Sequence, residues 1–382
     1  MFPEKLQNKL NQRKAKNALR GLNLPNNLID FSSNDYLGFS TSEEILNKTE
    51  QLLKEKKCQI NGATGSRLLS GNYLLIQEAE NKIARLHKAE SALIFNSGYD
   101  ANIGFFSSVP QRGDLIFYDE SIHASIRDGI SLSNANSFKF KHNNLQDLQN
   151  SIGRIKSNSQ PVNKDTVEIY IVTESVFSMD GDSPDLIKFT DFCTKIGAYF
   201  VVDEAHALGV YGLGLIQQLS LENKVFARLV TYGKGLGCHG AAFLGAQDLK
   251  DYLINFARSF IYTTALPPHS VATIISAYDQ LNDSKKSKEV EENIQLFKSE
   301  IKSKGIDSHF VKSHSAIQSC VLSSNEKAKN ISSKLREQGF DVKPILSPTV
   351  KLGQERLRFC LHSFNTEKEI LSLVNLLSTY LI

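Results

Sequence analysis

Between about residue 45 and residue 246, short uninterrupted apolar runs alternate with segments of helical periodicity. The runs are Ala92–Phe95 (ALIF), Leu115–Tyr118 (LIFY), Ile169–Thr173 (IYIVT), Tyr199–Asp203 (YFVVD), Leu229–Tyr232 (LVTY) and Ala241–Ala246 (AAFLGA). A strand with one wet face alternates apolar and polar residues, and these runs do not. They read as strands buried on both faces, as in a mostly parallel sheet covered by helices. One covering helix is legible directly, because Ile76, Ala79, Ile83 and Leu86 fall on one face at helical spacing. The pattern predicts an α/β fold.

The pattern changes on either side of this stretch. Residues 4–19 predict a charged helix with Gly21 as its stop, and residues 28–40 a turn-rich loop with short extended pieces. The two prolines of LPPHS (266–270) mark a break, and dense charge over 283–296 reads as a solvated helix face. The remainder predicts a strand (318–322), a helix (326–338), Gly339, two strands (the second 357–361) and a helix (366–381). Thr366 and Glu369 have capping-box spacing at the start of that last helix. The expected division is an N-terminal helix and arm (1–45), a large domain (46–265) and a small C-terminal α+β domain (266–382), since 382 residues exceed one small core.

Charge and cysteine content narrow the class. With 44 basic and 41 acidic residues, a formal charge of +3 does not call for a nucleic-acid or membrane partner. Cys58, Cys193, Cys238, Cys320 and Cys360 are odd in number and form no C-x-x-C pair. A disulfide framework or zinc site is therefore not expected, and a reducing compartment fits. No run approaches 18 apolar residues, and the basic start lacks a signal-type apolar core, so a cytoplasmic location is expected.

Residues 199–240 carry the chemistry. In YFVVDEAHALGVYG a buried strand ends at Asp203, with His206 three residues on. Ligands of parallel sheets sit at the carboxyl ends of strands, and an acid buried there needs a cationic or donor partner. In LVTYGKGLG a strand end is followed by Lys234 between Gly233 and Gly235. Flanking glycines permit close backbone approach, and a desolvated lysine has a lowered pKa and becomes nucleophilic. The string Asp-Glu-Ala-His also occurs in helicases, but these need a phosphate loop. The only Gly-Lys pair, Gly233-Lys234, is followed by Gly235 rather than Ser or Thr. The stretches Gly62–Gly71 and Gly209–Gly214 fail the dinucleotide spacing, and Asp203 and His206 lack further metal ligands. No metal is expected. The residues alone leave a cofactor pocket and a structural role both open.

The order of motifs along the chain resembles the α-oxoamine synthases, a family of fold-type I pyridoxal-phosphate enzymes. The segments are FSSNDYLG (31–38), NGATGSRLLSGN (61–72), IFNSGYDAN (94–102), SIHASIRDG (121–129), ESVFSMDGD (174–182), DEAH (203–206), TYGKGLG (231–237), FARSFIYTT (256–264) and RLRF (356–359). The resemblance implies an aspartate-aminotransferase-like fold, pyridoxal 5'-phosphate as cofactor and C-acyltransferase activity. NALR (17–20), SAIQ (315–318) and SPTV (347–350) resemble the branch that condenses L-alanine with a pimeloyl thioester of coenzyme A or an acyl carrier protein in biotin biosynthesis. Glycine C-acetyltransferase, serine palmitoyltransferase and 5-aminolevulinate synthase share the fold, so fold does not choose among them. A non-catalytic scaffold or nucleic-acid-binding protein is the alternative of another class. The even charge and the Lys234, Asp203 and His206 set weigh against it.

The resemblance also implies roles. Lys234 matches the lysine that holds the cofactor as a Schiff base, and Asp203 the acid that pairs with its pyridine nitrogen. His206 and Ser178 match residues near the phenolic oxygen, and His123 the histidine stacked on the ring. Ser97, Gly98 and Tyr99 precede a predicted helix, where backbone N–H groups suit the phosphate. Thr231 matches a hydroxyl contact to the same phosphate. Thr263 and Thr264 resemble a phosphate contact donated by a neighbouring subunit, which implies a homodimer. Arg358 resembles the arginine that pairs with the amino-acid carboxylate, with Asn34 facing it, and Arg20 and Thr349 match further substrate contacts.

Overall fold

The computed structural model describes residues 2–15, 19, 21–22, 27–158 and 167–381. Its centre is a seven-stranded sheet in the order Ser91–Phe95, Ala241–Gly245, Ala227–Thr231, Tyr199–Asp203, Ile169–Glu174, Leu115–Asp119, Asn136–Phe140. All neighbours are parallel except at Ala241–Gly245, which runs against both strands beside it. The strands Ser91–Phe95, Ile169–Glu174 and Ala227–Thr231 are buried at every position, which is why their sequences do not alternate.

The strand Asn136–Phe140 was not legible as an apolar run. It is the edge strand, with Asn136, Ser137 and Lys139 exposed and only Phe140 buried. An edge pairs on one side only and carries polar residues as a guard against further pairing.

The parallel register has one consequence for function. Glu174 is paired with Asp203, and Asp203 with Leu229, so Asp119, Glu174, Asp203 and Thr231 all close their strands at the same edge of the sheet. Helices cover both faces. Gly98–Ser108 buries Ala101, Phe105 and Phe106 on one face, and Leu186–Ile196 buries Leu186, Phe189 and Cys193 on the other.

Past the proline break, Pro268 opens the helix Pro268–Asp283, where its missing N–H costs nothing. The helix Lys286–Ser303 buries Val290, Ile294, Phe297 and Ile301 and turns its charges to solvent. A three-stranded antiparallel sheet follows, ordered Lys343–Ile345, Arg356–Cys360, Ile317–Val321. The helix Glu367–Leu381 begins with the expected box: Thr366 N–H donates to Glu369 Oε2 (2.7 Å) and Glu369 N–H to Thr366 Oγ1 (3.3 Å). The N-terminal helix spans Glu4–Ala15 with no buried residue; of the expected 4–19, residues 16–18 lie outside the described residues and Leu19 is not helical. The largest apolar cluster joins Phe31, Leu75, Val271, Phe297 and Leu357, so the three-way division at residues 45 and 265 stays a proposal. No helix among the described residues is long and apolar enough to cross a membrane.

Candidate active site

Lys234 lies just beyond the end of the strand Ala227–Thr231, in a turn that packs on Leu208 and Gly209. A Cβ on Gly235 would stand 2.3 Å from the Leu208 carbonyl oxygen, so only glycine lets the two backbones meet here. The turn directs the Lys234 amine inward, 2.8 Å from His206 Nε2. Burial lowers the Lys234 pKa to about 8; the charges of Asp203 and Glu174 pull it back up, and Arg358 pushes it further down. His206 is kept neutral, well below its ordinary range, first by burial and then by Lys234, Arg358 and His123.

Asp203 is buried, with Oδ1 accepting from Ala205 N–H (2.9 Å) and Oδ2 from Asn102 Nδ2 (3.1 Å). Asn102 also donates to Ser125 Oγ (2.9 Å), which lies 2.8 Å from His123 Nδ1. His123 N–H donates to Glu174 Oε1 (2.6 Å), and burial is the main cause that lowers the His123 pKa. A chain of contacts therefore joins His123 to Asp203, and Glu174 fixes the backbone of His123.

A second chain leads from His206 to Arg358. His206 Nδ1 is 2.8 Å from Tyr36 Oη, and Tyr36 is 3.2 Å from Asn34 Oδ1. Arg358 Nη2 donates to the same Asn34 oxygen (3.0 Å), and its Nε donates to the Ser178 carbonyl (2.7 Å). The loop carrying Ser178 is fastened to the small sheet. Arg356 forms an ion pair with Asp180, Ser319 Oγ donates to Met179 O (2.6 Å), and Ser313 and Ser315 Oγ both donate to Gly181 O at 2.8 Å.

Ser97 caps the helix Gly98–Ser108, its Oγ accepting from Asp100 N–H (3.0 Å). A Cβ on Gly98 would stand 2.6 Å from Thr231 Cγ2, so the helix start and the strand end press together. That leaves first-turn N–H groups beside the Thr231 hydroxyl, a setting that suits an anion. Tyr99 is exposed, with its hydroxyl on Asp128 (2.5 Å). Asn96 donates to Thr263 Oγ1 (3.0 Å) and to Thr264 O (2.8 Å), which brings both threonines beside Ser97 within the one chain.

The structure thus gathers Lys234, His206, Asp203, His123, Asn34 and Arg358, with Ser178 present through its carbonyl. Thr349 is exposed in a loop whose Lys351 approaches Glu120 (3.5 Å), three residues before His123. Arg20 lies outside the described residues. The sequence reading missed Tyr36, Asn102, Ser125 and Glu174 as individuals, although each lies in a segment that carried the family resemblance. Glu174 was also signalled by its place at a strand end. Among the described residues, His142, Asp180 and Asp182 come close enough together to bind a metal ion. Arg356 already pairs with Asp180, and, against burial, hydrogen bonds to Asp119 and Asp182 raise the His142 pKa to about 10, which favours its cationic form over metal binding.

A family model for aminotransferase class I and II matches residues 26–377. The chain belongs to this family. An 8-amino-7-oxononanoate synthase of Emericella nidulans is 39% identical over 395 residues, covering 99% of this chain and 95% of that one. A crystal structure of 8-amino-7-oxononanoate synthase from Francisella tularensis superimposes with a TM-score of 0.76 at 29% identity, covering 93% of this chain and 98% of that one. Sphingomonas wittichii serine palmitoyltransferase reaches a TM-score of 0.88 at 24% identity, covering 99% and 97%, and this likeness is one of fold. The resemblance to α-oxoamine synthases and the fold-type I architecture are borne out within the aminotransferase class I and II family.

Proposed function

We propose that this chain is a pyridoxal-phosphate-dependent C-acyltransferase that condenses L-alanine with a pimeloyl thioester. The products are 8-amino-7-oxononanoate, carbon dioxide and the free thiol, a step of biotin biosynthesis. The carrying observation is the buried Lys234 amine, 2.8 Å from His206 and facing Asp203, Glu174 and Arg358, in a chain 39% identical to a synthase of that name.

The residues fit pyridoxal 5'-phosphate. Lys234 offers a desolvated amine for the aldehyde. Asp203 offers a buried carboxylate for a pyridine nitrogen, and Gly98 lets the helix start close on Thr231, so that first-turn N–H groups and the end of the strand can serve a phosphate together. When bound, the group supplies an electron sink for a carbanion at the amino-acid α-carbon.

The chain supplies the rest. Asp203 is fixed by Asn102 and by the Ala205 N–H. His206 shares its Nε2 with Lys234 Nζ and so orients the amine. With a pKa brought to about 8, Lys234 is poised to take the α-proton as a base and return it as an acid. Arg358, positioned by Asn34 and by the Ser178 carbonyl, offers a planar fork to the alanine carboxylate. Thr349 and Arg20 are further substrate contacts in this reading.

The reading includes a homodimer in the cytoplasm, with Thr263 and Thr264 reaching a partner's phosphate. Ala265 N–H donates to Gly65 O (2.9 Å), and on the two segments so joined Leu69 and Tyr262 are exposed, which supports burial against a second copy.

The test is thiol release by purified protein over a grid of alanine, glycine and serine against pimeloyl, acetyl, succinyl and palmitoyl thioesters, with pimeloyl supplied on coenzyme A and on acyl carrier protein. Turnover confined to alanine with pimeloyl supports the proposal, and the better carrier identifies the donor. Turnover at another grid point replaces the substrates, and no release anywhere overturns the activity.

A further inference from the structure

Arg358, Asn34, Tyr36, His206 and Lys234 form an unbroken line of contacts at 3.0, 3.2, 2.8 and 2.8 Å. Tyr36 sits at its middle, fully buried. The groups at the ends restrict how protons can be arranged along it. Arg358 only donates and the Asn34 Oδ1 atom only accepts. His206 is neutral, so one ring nitrogen carries hydrogen and the other a lone pair. A charged Lys234 amine only donates, so His206 Nε2 must accept and Nδ1 must carry the hydrogen. Nδ1–H then donates to the Tyr36 oxygen, and the Tyr36 hydroxyl donates to Asn34. In that arrangement each donor meets an acceptor.

Once Lys234 loses its proton, a second arrangement opens. The Tyr36 hydroxyl turns from Asn34 to His206 Nδ1, and His206 Nε2–H donates to the neutral amine. Only one hydroxyl rotation and one tautomer exchange separate the two. We infer that the charge on Lys234 sets the tautomer of His206, and that Tyr36 is a positioning residue whose hydroxyl, accepting from Nδ1–H and donating to Asn34, links Arg358 and Asn34 to that amine. The inference rests on the proposed reading only in taking Lys234 as the reactive amine; the proton arrangement stands on the geometry.

The tautomer is measured directly from the ring 15N resonances of His206 in full-length cofactor-free protein labelled at histidine, below and above the Lys234 transition. The wild type is expected to show Nδ1–H below it and Nε2–H above it. Tyr36→Phe removes the partner of Nδ1 while the charged amine still holds Nε2. Nδ1–H is therefore expected to persist below the transition with its resonance shifted for want of an acceptor, and turnover of the loaded enzyme to fall about tenfold, as loss of one buried hydrogen bond implies. Asn34→Leu leaves the Tyr36 hydroxyl no acceptor while Nδ1 carries the hydrogen, so the Nε2–H arrangement gains and the switch to it is expected at lower pH. That displaced switch distinguishes a proton relay from simple loss of packing. Identical His206 resonances in all three proteins overturn the inference, whatever the substrate grid shows, while failure of the grid with these shifts intact would overturn only the assigned reaction.

Discussion

Glu174 and Asp203 stand side by side at the ends of adjacent parallel strands, two buried carboxyl groups in direct register. Burial and the charge of Asp203 push the Glu174 pKa from 4.5 to about 8, against the pull of Lys234 and of the His123 N–H. Like charges so close do not both ionise readily, which favours a protonated Glu174 in the cofactor-free protein at neutral pH.

A raised acid binds its proton more tightly folded than unfolded. Its contribution to stability is full below pH 4.5 and is lost as pH climbs toward 8. Glu174→Gln keeps an acceptor for His123 N–H and carries no charge. Urea unfolding of the cofactor-free protein is therefore expected to show the variant gaining on the wild type across that window. A difference independent of pH would mean that Glu174 is ionised throughout.

Arg358→Lys keeps the charge but loses the planar fork and the two contacts that orient it, to Asn34 and Ser178. Steady-state kinetics should show kcat/KM for the amino acid falling by about 10- to 100-fold, mostly through KM. The KM for the thioester should hardly move. An equal rise in both constants would assign Arg358 a role in the fold instead.

His142 ties the turn after Asp119 to the loop of Asp182, with both ring nitrogens at 2.9 Å from carboxylate oxygens. Burial opposes its charge, but the two hydrogen bonds win and raise its pKa to about 10. The stabilisation is complete below 6.5 and fades as pH rises through about 10. His142→Phe should cost about 1–3 kcal/mol near neutral pH. Denaturation midpoints of the two proteins should converge above pH 10, and a constant gap would contradict a charged His142.

Thr366→Ala removes one half of the capping box that starts the helix Glu367–Leu381. Thermal unfolding should register a loss of about 1 kcal/mol, with catalysis unchanged.

The strand ends of the candidate site were legible because burial on both faces leaves an uninterrupted apolar run, and Asp203 and Lys234 interrupt it where a parallel sheet binds ligands. Thr366 and Glu369 were legible because capping is local in sequence. The edge strand Asn136–Phe140 was not, since a half-exposed strand loses the apolar signal. Glu174 and Asn102 escaped for another reason. Their importance comes from neighbours 29 and 101 positions away, a pairing that only the folded sheet creates. Tyr36 reads in sequence as an aromatic in a turn, and its contact with His206 spans 170 positions.

In the proposed function everything turns on Lys234 carrying the cofactor. The most direct test is to load purified protein with pyridoxal 5'-phosphate, reduce it with borohydride and locate the phosphopyridoxyl mass on its peptides. Stoichiometric label is expected on Lys234, and none in Lys234→Ala. Label spread over surface lysines, or equal label in the variant, would contradict it.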